Sequence, residues 1–144
     1  SREEARAKLQ AVLDNGKAYE IFEKMVAAQG GDTDFAKLPQ AAVVKPVSAG
    51  RSGYIQAMQT RDIGVAVINL GGGRRIASDT IDHSVGFDEI LPIGTRVEAD
   101  TPLAVIHAKD EASWQAAAVA YRNALTIGDT QPENRPTVYE TLSA

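Results

Sequence analysis

Apolar residues in the first thirty positions recur every three or four residues, which is the spacing of an amphipathic helix. Ser1 followed by Glu4 can form a capping box, and Asn15 followed by Gly16 is a typical helix stop. We therefore expect one helix before Asn15 and a second that ends at Gly30, each with an apolar stripe packed against a core. The stripes consist of Ala5, Leu9, Val12 and Leu13 in the first helix and of Tyr19, Phe22, Met25 and Val26 in the second.

The pattern changes near residue 42. Eight of the twelve glycines lie between Gly50 and Gly94, and short β-rich runs bounded by Gly, Pro and Asp replace the helical stripes. Short strands at such close spacing predict a compact sandwich or barrel. The predicted strands are Ala42–Val47, Gly53–Met58, Ser84–Ile90, Thr95–Val97 and Pro102–Ala108.

The segment Thr60–Leu70 carries two conflicting patterns. Its apolar residues alternate as in a strand, but Thr60 is a good N-cap, Asp62 favours a helix N-terminus and Gly71 suits a C-cap. We predict a helix here.

The chain then returns to a helical pattern from Asp110 to about Thr126, closed by Gly128. After it, Thr137–Tyr139 could add an edge strand. Together the elements predict an α+β fold. A helical segment, residues 1–40, precedes a β-rich domain, residues 41–144, that has a closing C-terminal helix.

Composition narrows the functional classes. The 144 residues are 44% hydrophobic and 24% charged, with a net charge of −4, as in an ordinary globular domain. The lack of cysteine excludes disulfides, cysteine zinc sites and thiol catalysis, and two histidines are too few for a histidine-rich metal site. Lys and Arg are scattered in an acidic chain, so no nucleic-acid partner is expected.

No apolar run reaches the roughly 18 residues that a membrane span needs, and no signal-peptide pattern is present. We expect a cytoplasmic protein with no membrane partner. The chain opens on Ser1 rather than Met and has a helical pattern from its start, so we also expect it to be part of a longer protein.

The segment GGGRR is the most unusual local feature. The glycines Gly71, Gly72 and Gly73 let backbone N–H groups turn towards an anion, and Arg74 and Arg75 could add bidentate contacts to a phosphate or carboxylate. The segment matches neither a P-loop nor the dinucleotide-binding fingerprint. It could equally be a solvated loop that ends the preceding helix, or a lid that becomes ordered when a site closes.

Two carboxylates and an imidazole lie close in sequence at Asp79, Asp82 and His83. Residues 79 and 82 would not share one face of a strand, so we favour turn capping and surface hydrogen bonding over an acid–base cluster or a metal site. His107 has no nucleophile or second ligand nearby in sequence, so we expect it to be packed or at the rim of the core.

The stretch Gly94–Ala108 resembles half of the biotinyl and lipoyl carrier domain, and Lys109 lies near the position of the modified lysine. The biotinyl pattern places that lysine between two methionines, which are missing here. The resemblance therefore supports a related sandwich shape and not a swinging-arm lysine.

Four blocks of the sequence stand out by their order and spacing: Lys45–Met58, Thr60–Arg75, Asp79–Phe87 and Pro102–Ala108. Together they resemble the C-terminal domain of the pyrimidine-nucleoside phosphorylases. The preceding helical segment is also similar to the one that leads into that domain, so the resemblance covers essentially the whole chain. It implies that residues 1–40 belong to the family's larger α/β domain and that residues 41–144 form its C-terminal domain, of α/β-hammerhead or barrel-sandwich type.

The resemblance implies reversible phosphorolysis, in which phosphate attacks C1′ of thymidine to give thymine and 2-deoxyribose 1-phosphate. Family enzymes are homodimers that bind phosphate and the pyrimidine deoxynucleoside in a cleft that closes between two domains, and no cofactor or metal is expected. Their KHSTGG-type phosphate-binding segment is absent from this sequence. The resemblance therefore assigns no catalytic or substrate-binding residue to this chain, and we expect the isolated chain to be inactive.

A GGGR-type loop in the family faces the cleft and can become ordered as the domains close. Gly71–Arg75 matches that loop, so the resemblance implies a closure role for it. Two alternatives remain: a stand-alone carrier or interaction module with Lys109 as its modification site, and a regulatory domain that binds anions through Arg74 and Arg75.

Overall fold

The computed structural model describes residues 1–133 together with Pro136, Val138, Glu140 and Leu142. They form two compact units, Ser1–Leu38 and a second unit that begins at Pro39. Thr137 and Tyr139, the ends of the predicted edge strand, lie outside the described residues.

The first unit is a pair of helices, α1 (Arg2–Asp14) and α2 (Lys17–Ala28), followed by a short 3-10 turn. The predicted capping box is confirmed. Ser1 Oγ accepts a hydrogen bond from the Glu4 N–H, while Glu4 Oε2 accepts one at 2.8 Å from the N-terminal amine. Gly16 separates the helices with a φ of +79°, a conformation that costs glycine little.

The apolar stripes of α1 and α2 are exposed in this chain, and the prediction that they pack against its core is wrong. No residue of either helix is buried, and Leu9 and Met25 expose 65% and 51% of their surface. Two helices of 13 and 12 residues present too little surface to enclose both stripes.

The second unit confirms the α+β class with six strands and two helices among its described residues. The strands are β1 (Val43–Ser48), β2 (Gly53–Met58), β3 (Gly86–Asp88), β4 (Arg96–Val97), β5 (Pro102–Ala108) and β6 (Leu125–Gly128), and the helices are α3 (Thr60–Val67) and α4 (Glu111–Asn123).

The strands form two antiparallel three-stranded sheets that are interleaved in sequence. One sheet has the order β1-β5-β3 and the other β4-β2-β6. In the first, Val43 lies opposite Ala108, and in the second Met58 lies opposite Leu125. Each sheet therefore needs strands that are far apart in the chain.

The core lies between these sheets and helix α4. Ala117, Ala118 and Tyr121 form the buried face of α4, which contacts β5 and β1. Outside the core, the Trp114 indole N–H donates to the Lys45 carbonyl, and Lys45 Nζ lies 2.6 Å from a carboxylate oxygen of Glu111. The largest fully buried side chains are Tyr121, Ile55, Leu103, Ile106, Val47 and Val97.

The end of α4 differs from the prediction. The helix stops at Asn123, whereas the pattern predicted helix to about Thr126, and the next residues form β6 instead. Leu125 pairs with Met58 at the edge of β2, and the Ala124 carbonyl accepts from the Gln59 N–H at 2.7 Å. Pairing with a distant strand outweighs the local helical pattern.

Two smaller corrections concern element ends. Thr60 is the first residue of α3 and not its N-cap; that position is Gln59, whose side chain makes no capping bond. Strand β3 is shorter than the predicted Ser84–Ile90, because a turn at Asp82–Ser84 precedes it and Glu89 has a φ of +52° after it. In the described residues, every helix is too short or too polar to cross a bilayer.

Candidate functional site

Helix α3 leads directly into Gly71–Arg75, hereafter the glycine loop, through one π-helical turn. The chain reverses at Gly71, whose φ of +107° lies in the region that favours glycine. A Cβ atom on Gly72 would lie 2.9 Å from Cγ1 of Val67, so a larger residue would have to displace that side chain. The glycines therefore form a tight reversal, a geometry that often marks functional sites when it follows a π turn.

Hydrogen bonds close the glycine loop on the side that follows it. Asp79 Oδ2 accepts from the backbone N–H groups of Arg75 and Ile76, at 2.9 and 3.1 Å. The Asp82 N–H donates to the Gly71 carbonyl at 2.9 Å. The loop is thus held by hydrogen bonds while its two arginines stay exposed to solvent.

Asp82 supports the loop from a turn of its own. Its Oδ1 accepts from both the N–H and the hydroxyl of Ser84, and these bonds lower the pKa of Asp82, with smaller contributions from the charges of His83 and Lys109. The carboxylate is therefore held ionised and its turn fixed. The prediction of turn capping and surface hydrogen bonding for Asp79 and Asp82 is confirmed.

The two arginines of the glycine loop have different environments. Arg75 Nη2 donates to Asn69 Oδ1 at 2.6 Å, across the π turn. Arg74 is exposed and makes no hydrogen bond or ion pair within the part of the chain that the structure describes. In the sequence the two arginines are equivalent, and no sequence signal marks Asn69 as the partner of Arg75 across the π turn.

Asn69 also lines a shallow groove between α3 and α4. The groove has a volume of about 280 Å³, and its apolar lining consists of Val65 and three alanines. Its polar atoms come from Asp62, Asn69 and Asn123. Such an open surface with three polar side chains does not resemble an enclosed catalytic pocket.

The two histidines lie in different surroundings, one in a strand and one in a turn. His107 lies half-buried in the central strand β5, between Val44 on β1 and Gly86 on β3, which fits a packed or rim position. His83 is exposed in the turn after Asp82. Among the described residues, no group of three His, Asp or Glu side chains could hold a metal ion.

A family model described as the pyrimidine nucleoside phosphorylase C-terminal domain matches residues 54–128. The chain belongs to this family. The match runs from β2 to β6 and contains the entire glycine loop with Asp79 and Asp82. The predicted resemblance is therefore confirmed for the C-terminal portion of a pyrimidine-nucleoside phosphorylase.

In this phosphorylase domain, Lys109 lies between β5 and helix α4. Its neighbour Asp110 is the N-cap of α4 and accepts from the Ser113 N–H at 2.7 Å. The carboxylate at that position stabilises the start of the helix. Lys109 is exposed where the chain enters the helix, so no contact in the described structure assigns it a chemical role.

Proposed function

We propose that this chain is the C-terminal part of a thymidine phosphorylase, a glycosyltransferase of nucleoside salvage that converts thymidine and phosphate reversibly to thymine and 2-deoxyribose 1-phosphate. Membership in the phosphorylase C-terminal domain family supports the reaction class. The choice of thymidine as substrate is supported by the sequence resemblance of four blocks to thymidine phosphorylase: Lys45–Met58, Thr60–Arg75, Asp79–Phe87 and Pro102–Ala108.

In this proposal the groups that bind phosphate and the base lie in the remaining N-terminal part of the same enzyme. Phosphorolysis needs several donors aimed at the phosphate and the leaving pyrimidine, in a site from which water is excluded. The sequence has no KHSTGG-type segment, and the groove between α3 and α4 is open and mostly apolar. The isolated chain is accordingly inactive.

The intact enzyme in this proposal is a cytoplasmic homodimer, and residues 1–40 belong to its larger α/β domain. The exposed stripes of α1 and α2 support that assignment, because side chains such as Leu13, 65% exposed, gain stability when another surface covers them.

The glycine loop acts in this proposal as a lid that contributes to closure of the substrate cleft. The observation that carries it is the tethering of the loop: Asp79 and Asn69 hold Arg75, while Arg74 is left exposed. Because hydrogen bonds already hold part of the loop, less conformational entropy remains to be lost when the loop becomes ordered on closure of the cleft.

Thymidine phosphorolysis, followed by the ultraviolet change on thymine release, tests this function. The 144-residue chain should show no turnover above background, whereas the full-length enzyme should turn over thymidine. Replacing both Arg74 and Arg75 by Ala in the full-length enzyme should reduce turnover and leave the fold intact. Turnover by the isolated chain would overturn the assignment of the site, and unchanged kinetics of the double variant would remove the loop from the mechanism.

The intact mass of the chain tests the carrier alternative at Lys109. An unmodified mass is expected, whereas a biotinyl or lipoyl adduct would favour the carrier module.

A further inference from the structure

The two adjacent arginines of the glycine loop differ in how they are held. Arg75 is fixed twice: its guanidinium donates to Asn69 Oδ1 at 2.6 Å and its backbone N–H donates to Asp79 Oδ2 at 2.9 Å. Both arginines are exposed, but Arg74 has neither type of bond to any described residue. The loop therefore holds one arginine and leaves the other free.

Hydrogen bonds also hold the backbone of the loop before and after Arg74. Before Arg74, the Gly71 carbonyl accepts from the Asp82 N–H at 2.9 Å. After it, Asp79 accepts from both Arg75 and Ile76. The backbone at Arg74 is thus held in place, while its guanidinium group is still available to bind a ligand.

The partner of Arg75 is a neutral amide, and no ion pair to Arg74 or Arg75 occurs among the described residues. Neither guanidinium charge is therefore neutralised by an ion pair with a described residue. An exposed guanidinium on a fixed backbone suits a phosphate group, because its planar donors bind phosphate oxygens in a bidentate manner.

We infer that Arg74 is the residue through which the glycine loop binds a phosphate group, and that Arg75, Asn69 and Asp79 are positioning residues that hold Arg74 in place. This inference rests on the proposed lid function of the loop. The phosphate group is that of inorganic phosphate in the forward reaction or of 2-deoxyribose 1-phosphate in the reverse reaction.

Steady-state kinetics of the full-length enzyme in both directions test this division. Arg74→Ala should lower kcat/KM for the phosphate-bearing substrate by about 10- to 100-fold, as expected for loss of a charged hydrogen bond. KM for thymidine should change less than about 2-fold, and Arg74→Lys should restore part of the loss because it keeps the charge but not the bidentate geometry. Equilibrium titration of the Arg74→Ala enzyme with inorganic phosphate and with 2-deoxyribose 1-phosphate, each alone, identifies the ligand that Arg74 binds as the one whose affinity falls; unchanged affinity for both would overturn the inference.

The positioning residues are tested by a double-mutant cycle. Arg75→Ala and Asn69→Ala should each lower kcat/KM by a smaller factor, and the double variant should be no worse than the more affected single variant, because both changes break the same bond. Arg61→Ala is the matched control: it removes an exposed arginine from the first turn of α3, outside the loop, and should behave like the wild type.

The outcomes separate this inference from the function on which it rests. Equal and independent losses for Arg74→Ala and Arg75→Ala would overturn the division of roles and leave the lid in place. Wild-type kinetics for all loop variants would overturn both, while the enzyme would remain a phosphorylase. If the wild-type enzyme turns over no pyrimidine nucleoside, the proposed function fails.

In that case, titration of the 144-residue chain with inorganic phosphate, followed by NMR, tests phosphate binding by Arg74 directly. Chemical-shift changes at the Arg74 guanidinium that are absent in Arg74→Ala support the inference, and their absence overturns it.

Discussion

The ring of Tyr121 on helix α4 stacks on the ring of Phe87 on strand β3, with centroids 5.1 Å apart and an interplanar angle of 26°. Tyr121 is fully buried, and its hydroxyl lies 3.5 Å from the Leu103 carbonyl, at the outer limit for a hydrogen bond. The contact joins the closing helix to the short strand that follows the glycine loop and its turns.

Removing the Tyr121 ring should therefore destabilise the domain much more than removing its hydroxyl. Tyr121→Ala should lower the free energy of unfolding by about 3–5 kcal/mol, since it leaves a large cavity. Tyr121→Phe should lower it by less than about 1 kcal/mol, because the hydroxyl bond is long. Urea unfolding followed by circular dichroism measures the free energy of unfolding of both variants. Similar losses would show that the hydroxyl of Tyr121, and not its ring, stabilises the domain.

Burial also raises the pKa of the Tyr121 hydroxyl above its ordinary value of about 10. The folded state therefore resists ionisation of this group, and its contribution to stability is complete below pH 10 and is lost as the pH rises through the folded-state pKa. Unfolding midpoints between pH 8 and pH 11.5 should fall more steeply for the wild type than for Tyr121→Phe. Parallel curves would mean that Tyr121 ionises alike in both states.

Two glycines near the candidate site should respond in opposite ways to alanine. Gly71→Ala should destabilise the domain by about 1–2 kcal/mol, because its φ of +107° is unfavourable for an L-residue. Gly64→Ala should stabilise it by about 0.5–1 kcal/mol, since Gly64 lies in α3 with nothing within 4 Å of an added Cβ. Thermal unfolding compares them, and a loss of stability in Gly64→Ala would contradict the assignment of α3 as an ordinary exposed helix.

Acid should weaken the turn at Asp82 and the start of α4. The bonds from Ser84 lower the pKa of Asp82, and the bonds from Ser113 lower that of Asp110. Because the folded-state values are lowered, the stabilisation is present above the ordinary pKa of about 4 and is lost as the pH falls through the folded-state pKa. Unfolding midpoints from pH 6 to pH 2.5 should therefore decline.

Asp110→Asn separates this effect from general acid denaturation, since asparagine keeps the capping oxygen and cannot titrate. Its unfolding midpoint should decline less between pH 5 and pH 2.5 than that of the wild type. An equal decline would show that protonation of other groups controls acid stability.

Elements that depend on near neighbours can be predicted from the sequence. The capping box of Ser1 and Glu4 and the strands Gly53–Met58 and Pro102–Ala108 occur with the predicted bounds. Caps and alternating patterns express contacts within about four residues, so local sequence is enough to define them.

Features that depend on distant partners could not be predicted in this way. Strand β6 forms because it pairs with β2, which is distant in sequence. The local pattern of these residues alone predicts the end of a helix. Arg75 contacts Asn69 across a π turn, and no residue preference in the sequence predicts that turn. The glycine loop was therefore recognisable from sequence as a candidate site, whereas the different contacts of its two arginines required the structure.

The interleaving of the two sheets has a consequence for the order in which this domain can fold. Val43 pairs with Ala108 and Tyr54 with Gly128, so neither sheet can be completed during synthesis until its last strand has left the ribosome. Contacts between residues so distant in sequence make folding slow, whereas the bond from Asp82 to Gly71 spans a short segment and can form early. The nascent chain can thus close the segment that contains the glycine loop before the two sheets that carry it are complete.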